Sequence, residues 1–188
     1  MLLLLHGTGG NENDMIQVGR ELAPGASMLS PRGKVLENGM PRFFRRLAEG
    51  VFDIEDLKFR TGELADFVEA AADHYGFDLR RLVAVGYSNG ANIAASLLLL
   101  RPRVLQGGVL FRPMVPLVPV EEPNLDGKQL YISAGTSDPL TPKEETEKLV
   151  KMLESYGARI VLKWVRAGHA LSPVDVQEAR GWVRDTFQ

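Results

Sequence analysis

The chain has 188 residues, of which 45% are hydrophobic and 24% are charged, and its formal net charge is −2. This balance predicts a single globular domain over residues 1–188 and argues against a nucleic-acid or membrane surface. The lack of cysteine excludes disulfides, thiolate metal sites and a cysteine nucleophile. The apolar opening ends at His6-Gly7 and is too short for a signal peptide or a membrane span, so we expect a cytoplasmic protein.

The first predicted element is a buried strand from Leu2 to Leu5, which runs into a glycine-rich loop at residues 6–11. The loop opens a predicted helix from about Glu12 to Leu22, with Asn11 as its N-cap. A dinucleotide-binding turn would need a third glycine at position 12, where the chain has glutamate. Because glycines let the backbone approach a substrate closely, we interpret the loop as an oxyanion loop, supported by the ring of His6.

A short second strand is predicted from Ala26 to Leu29, and a helix capped by Thr61 is predicted to run to Tyr75. Between them, residues 33–60 show no clear period. This stretch is either a surface loop with a short helix or a cap over the active site that binds substrate. On the cap interpretation an acyl or aryl pocket is lined by Met40, Phe43 and Phe44. The arginines beside them, at positions 42, 45 and 46, then lie outside the pocket or meet an anionic group.

The most informative stretch lies between a predicted buried strand, Leu82 to Val85, and a predicted buried helix, Ile93 to Leu100. Between them the chain reads Gly86-x-Ser88-x-Gly90, which in a strand-turn-helix setting is typical of a nucleophile elbow. The alternative is a serine in an ordinary turn. On the elbow interpretation Ser88 stands at a helix start, and the backbone N–H of Asn89 helps to stabilise negative charge.

The remaining predicted strands and helices alternate along the chain. The strands are Gln106 to Phe111, Gln129 to Ala134 and Arg159 to Val165; the helices run from about Pro142 to Tyr156 and from about Pro173 to Phe187; residues 112–123 are irregular. This alternation predicts a three-layer α/β sandwich with a mostly parallel sheet of about six strands and a minimal N-terminus. Because the chain begins inside its first strand, an exposed sheet edge is expected, and we predict a homodimer.

Three polar residues follow strand ends at the edge where parallel α/β sheets carry their active sites: Ser88, Asp138 and His169. His169 would take the proton of Ser88 during attack, and Asp138 would fix the tautomer of His169. Asp126 precedes its strand and Asp175 lies inside the last helix, so both are weaker candidates for the acid. The dispersed histidines predict no metal site.

Five segments together resemble the phospholipase/carboxylesterase family of α/β-hydrolases, in particular its small bacterial carboxylesterases of the hydroquinone-responsive type. They are residues 5–11, 39–44, 86–92 and 134–139 and Gly168-His169, and the resemblance covers nearly the whole chain. It implies a catalytic triad of Ser88, Asp138 and His169 and an oxyanion hole formed by the backbone N–H groups of Thr8 and Asn89. An ester hydrolase that works through an acyl-serine intermediate is expected to need no metal or organic cofactor.

The predicted function is hydrolysis of small-molecule carboxylic esters with small or medium acyl or aryl groups, through an acyl-serine intermediate. A cap of roughly 27 residues leaves room for a modest pocket rather than a long lipid groove. A thioesterase or lysophospholipase with the same triad is one alternative. A non-catalytic ligand-binding protein on a hydrolase scaffold is the other.

Overall fold

A six-stranded parallel sheet forms the centre of the computed structural model, which describes residues 1–187. Numbered in chain order, its strands are β1 (Leu2–Leu5), β2 (Met28–Leu29), β7 (Val83–Tyr87), β8 (Gly107–Phe111), β9 (Gln129–Gly135) and β10 (Arg159–Val165). The strand order is β10-β9-β8-β7-β1-β2, and every neighbouring pair is parallel. The predicted α/β fold with a six-stranded sheet is therefore confirmed.

Five helices cover the two faces of this sheet. They are α1 (Ile16–Leu22), α2 (Ile54–Tyr75), α3 (Asn89–Leu100), α4 (Lys143–Ser155) and α5 (Pro173–Phe187). Side chains of α2, α3 and α4 share one apolar core, and those of α1 and α5 share the other. Alternate residues of β1 enter the two cores, with Leu3 and Leu5 in the first and Leu2 and Leu4 in the second. This explains why the strand is apolar throughout.

Two helices begin at other positions than the sequence predicted. The first begins at Ile16 rather than near Glu12, because the side chain of Asn11 accepts a hydrogen bond from the N–H of Asn13 (2.9 Å) and closes a turn instead of capping a helix. The second begins at Ile54 rather than after Thr61. Its N-cap is Asp53, which accepts from the N–H of Asp56 (3.1 Å).

The stretch from 33 to 60, predicted to be irregular or to hold a short helix, contains two antiparallel hairpins ahead of α2. Their strands are β3 (Val35–Glu37), β4 (Met40–Arg42), β5 (Arg46–Ala48) and β6 (Val51–Phe52). Asn38 and Gly39 turn the first hairpin with φ of 51° and 80°, the conformation that Asn-Gly favours between short strands. The strand predicted at Ala26 to Leu29 is also shorter, since only Met28 and Leu29 pair with β1.

Within residues 1–187, no helix is long and apolar enough to cross a membrane.

Candidate active site

The turn between β7 and α3 holds Ser88 in a strained conformation, with φ 51° and ψ −113°. Glycines are required on both sides of it. A Cβ on Gly86 would overlap the backbone of Ala91, and a Cβ on Gly90 would overlap the carbonyl oxygen of Leu5 in the neighbouring strand β1. The serine is therefore held at the carboxyl edge of the sheet by backbone packing that only glycine permits.

Ser88 lies in a continuous hydrogen-bonded line with His169 and Asp138. The Nε2 atom of His169 is 2.8 Å from Ser88 Oγ, and its Nδ1 atom is 2.8 Å from Asp138 Oδ2. The other carboxylate oxygen of Asp138 accepts from the backbone N–H groups of Leu140 (2.8 Å) and Thr141 (3.1 Å). This geometry permits transfer of the serine proton to an imidazole whose far nitrogen faces a fixed carboxylate.

Two backbone N–H groups next to Ser88 are available to a ligand. Across residues 1–187, neither the N–H of Thr8 nor that of Asn89 donates a hydrogen bond, whereas the next two residues of the loop, Gly9 and Gly10, donate to Pro41 (2.9 Å) and Gly7 (3.1 Å). Asn89 is the first residue of α3, so its N–H has no partner inside the helix. Both residues line the cleft beside Ser88, and backbone N–H groups in such a place can stabilise an oxygen that bears negative charge.

The loop at residues 6–11 is supported by the buried ring of His6. Its Nδ1 atom donates to the carbonyl of Gly7 (2.6 Å), and its Nε2 atom accepts from the N–H of Gly33 (3.0 Å). Burial lowers the pKa of His6, more than the nearby carboxylates and the Gly7 carbonyl raise it. His6 therefore favours the neutral form, and only that form can accept at Nε2.

Ser88 and His169 open into a small cleft with a volume of about 50 Å³. Its remaining lining includes side chains from the hairpin segment, α3 and the loops after β8 and β9: Arg42, Arg46, Phe52, Asn89, Asn92, Met114, Leu140 and Thr141. Phe52 is the aromatic residue that the hairpins contribute. The cleft is too small for a long acyl chain in this conformation.

The three predicted pocket residues lie elsewhere in the described chain. Phe44 has no exposed surface and packs edge-on against Phe52, with ring centroids 5.1 Å apart. Phe43 packs against the ring of His6 and lines a separate pocket of about 300 Å³, while Met40 is 40% exposed. Phe44 therefore supports the cleft through Phe52 without lining it.

Two of the three arginines of the hairpin segment line the cleft. Arg42 is buried, donates to the hydroxyl of Thr8 (2.7 Å) and pairs with Glu37 (3.2 Å). Arg46 pairs with the same Glu37 (2.8 Å). Burial and the neighbouring Arg46 lower the pKa of Arg42, because both disfavour its charged form more than Glu37 favours it. Arg45 instead pairs with Asp53 (2.9 Å).

Reasoning from the sequence missed Arg112, which follows β8 directly. Its side chain is fully buried, and it forms an ion pair with the equally buried Asp175 of α5 (2.7 Å). A charged residue immediately after an apolar strand, at the edge that carries the site, was the available signal.

No group of three or more His, Cys, Asp or Glu side chains within residues 1–187 is placed to hold a metal ion.

Comparison with known proteins shows that this chain is similar to hydrolases. Residues 47–178 match the model of the dienelactone hydrolase family. The chain is 51% identical over 187 residues to the "Putative hydrolase MhqD" of Bacillus subtilis (strain 168), covering 100% of this chain and 94% of that protein.

Two solved structures are also similar along their length. The Bacillus cereus carboxylesterase superposes with a TM-score of 0.97 at 52% identity, covering 100% of this chain and 88% of the other. YahD, solved with malic acid, superposes with a TM-score of 0.93 at 31% identity, covering 98% and 92%. The resemblance to hydrolases of the carboxylesterase type that the sequence motifs predicted is confirmed.

Proposed function

This chain belongs to the dienelactone hydrolase family of α/β hydrolases and is a carboxylesterase-like hydrolase; from that premise and the site geometry, we propose that it cleaves small carboxylic esters through an acyl-serine intermediate on Ser88. The observation that carries the proposal is the pair of 2.8 Å contacts that joins Ser88 to His169 and His169 to Asp138. A serine hydroxyl is a weak nucleophile at neutral pH, and such a line of contacts activates it.

The reaction has two halves. In acylation, Ser88 Oγ attacks the ester carbonyl carbon while His169 Nε2 takes its proton, and the carbonyl oxygen moves toward the N–H groups of Thr8 and Asn89. His169 then gives the proton to the departing alkoxide, so an alcohol leaves and the acyl group stays on Ser88. In deacylation, His169 activates a water molecule in the same way, and the carboxylic acid is released.

The lining of the cleft favours a small ester that also carries a negative charge. Arg42 and Arg46 share the single carboxylate of Glu37, and Glu49 also borders the cleft, so what the cleft offers a substrate group is guanidinium N–H donors rather than a net positive charge. A carboxylate or another compact anion on the acyl group would satisfy these donors. YahD was solved with malic acid, a compact dicarboxylic acid.

The alternatives of thioesterase and lysophospholipase use the same triad and differ only in the pocket. The small cleft beside Ser88, about 50 Å³ in volume, disfavours a lysophospholipid chain, but its size does not distinguish a short thioester from a short oxygen ester. A panel of p-nitrophenyl esters and thioesters separates these substrates. We expect short esters to be cleaved fastest, with the rate falling as the chain lengthens.

The serine mechanism is tested on the same panel with Ser88→Ala. Turnover should fall by about 10⁶-fold while the circular dichroism spectrum and melting temperature stay close to wild type. Ser137→Ala is the control, because Ser137 lies in the loop after β9, beside Asp138, and within residues 1–187 its hydrogen bond is the one from its backbone N–H to Ala167 O (3.1 Å), which alanine keeps. Wild-type turnover in Ser88→Ala would refute the mechanism. No turnover of any ester by the folded wild type would favour the non-catalytic ligand-binding alternative.

A further inference from the structure

The loop that carries His169 has to extend along the carboxyl edge of the sheet to reach Ser88. It leaves β10, whereas Ser88 follows β7, and β9 and β8 lie between these strands. Three strand spacings separate the two starting points, roughly 14 Å at about 4.8 Å each. The imidazole therefore depends on contacts made beyond its own strand, above the end of β8.

Three consecutive backbone carbonyls of this loop accept hydrogen bonds from two side chains. Arg112 Nε donates to Gly168 O (3.0 Å), and Arg112 Nη2 donates to Ala170 O (3.3 Å). Between them, the Tyr87 hydroxyl donates to His169 O (3.2 Å). Arg112 follows β8, and Tyr87 ends β7 next to Ser88. The backbone of His169 is thus held on both flanks and at its centre by residues that belong to the serine side of the site.

Arg112 is itself fixed on all sides. Its Nη1 atom donates to Ser133 Oγ (3.1 Å) and Asp175 Oδ1 (2.7 Å), and its Nη2 atom also donates to Asp175 Oδ2 (2.9 Å). With the two loop carbonyls, these acceptors account for all five N–H donors of a guanidinium. Although Arg112 borders the cleft, it has no donor left for a substrate.

Asp175 remains ionised opposite this buried cation. Its burial would raise its pKa, but hydrogen bonds from Arg112, Ser133 and Ser172 outweigh burial and hold that pKa below its ordinary value. The backbone N–H and hydroxyl of Ser172, in the loop after His169, both donate to Asp175 (2.9 and 2.7 Å). The carboxylate therefore joins Arg112 to the start of α5.

The ring of Tyr87 completes the connection. It lies 5.7 Å from the ring of His169 between centroids. It also packs against Gly7 of the oxyanion loop, where a Cβ would come within 2.8 Å of the Tyr87 ring. Tyr87 thus contacts the loop at residues 6–11 and the histidine loop, while its backbone leads directly into Ser88.

We propose that Arg112 and Tyr87 are positioning residues that set the imidazole of His169 against Ser88, with Asp175 holding Arg112 in place. Neither residue touches the reacting atoms. The proposal rests on the proposed serine mechanism and adds a distinct requirement to it. Ester turnover depends on side chains that act through the backbone of the histidine loop.

The test compares Tyr87→Phe with Tyr131→Phe. The first removes one hydroxyl that donates to His169 O and keeps the packed ring. The second removes a buried hydroxyl that has no partner among the described residues. Rates are divided by the number of active sites, counted by complete fluorophosphonate labelling, so that a loss of folded protein does not alter the result. The inhibition constant of the carboxylic acid product, a competitive inhibitor, measures ground-state binding to the cleft separately.

We expect Tyr87→Phe to lower both the turnover per site and the labelling rate constant by about fivefold, as loss of one hydrogen bond implies. The affinity for the product acid should not change, and Tyr131→Phe should match wild type. Arg112→Lys keeps the charge opposite Asp175 but cannot reach both carbonyls, and its loss should be on the order of 10²-fold per site.

Wild-type rates per site in Tyr87→Phe, even with a lower melting temperature, would overturn the proposal, since the contacts would then be structural only. If Arg112→Lys does not fold, Tyr87→Phe alone decides. Failure of the proposed function is a different result: the wild type would then neither cleave esters nor label, and no variant would be needed to see it.

Discussion

The loops that carry the proposed triad and the two hairpins between β2 and α2 are built in opposite ways. Ser88, Asp138 and His169 each lie within four residues of the end of a sheet strand, and their loops are held by buried contacts such as the Arg112–Asp175 pair. The hairpin strands have only two or three residues, and two of their leucines, Leu36 and Leu47, are 70% and 73% exposed.

This difference indicates that the sheet edge and the hairpins have different functions. The sheet edge holds the groups that would make and break bonds, so a change there should lower the rate on every ester. The hairpins contribute Arg42, Arg46 and Phe52 to the cleft, so a change there should alter which ester is preferred.

After Ser88→Ala, the largest effect is expected from another change on the sheet side, Asp138→Asn. The amide can still accept from Leu140 and Thr141, but it cannot stabilise the imidazolium and favours the wrong tautomer of His169. The rate should fall by about 10⁴-fold on all esters alike. Steady-state kinetics on a charged and a neutral ester of equal size provide the measurement. A loss of rate on only one of the two substrates would contradict these separate functions of the sheet edge and the hairpins.

A smaller and selective effect is expected on the hairpin side, from Arg42→Gln. The preference for a carboxylate-bearing ester over its neutral analogue should fall by about 10- to 100-fold, because a charge-assisted hydrogen bond is lost. The kcat/KM ratio for the two esters measures that preference.

Arg45→Gln is the matched control for this change, because the neighbouring Arg45 pairs with Asp53 (2.9 Å) instead of lining the cleft. Its ratio should stay at the wild-type value. If both variants lose the preference equally, or if neither loses it, the proposal of an anionic substrate is wrong.

The smallest effect concerns His6, which links the two regions through Gly7 and Gly33. Burial lowers its pKa from the ordinary value of 6.5, so the unfolded chain binds the proton more readily. The stabilisation is present above pH 6.5 and is lost as the pH falls from there through the folded-state pKa. Urea unfolding between pH 7.5 and pH 5 should show a steeper loss of the free energy of unfolding in wild type than in His6→Gln. Parallel curves for the two proteins would contradict this role of His6.

The features predicted from the sequence are those set by local pattern. Apolar runs located the sheet strands to within a few residues, and the ends of parallel strands share one edge, which is why Ser88, Asp138 and His169 could be expected to meet. Their chemical roles stay predictions, as does the homodimer. The hairpin strands are too short to show a period, although Asn38-Gly39 carried a turn signal.

Tertiary packing decided what the sequence could not. Which of Phe43, Phe44 and Phe52 faces the cleft depends on how the hairpins fold onto α3. Arg112 and Asp175 are 63 positions apart, and nothing in either local pattern indicates that they pair. The position of Arg112 after an apolar strand can be read from the sequence, but its ion pair with Asp175 is formed only in the folded chain.

The central claim, an activated Ser88, is tested most directly by treating wild type and Ser88→Ala with a fluorophosphonate and measuring intact mass. We predict one adduct on the wild type and none on the variant. A folded wild type that takes up no adduct, or a variant that labels as well as wild type, would contradict it.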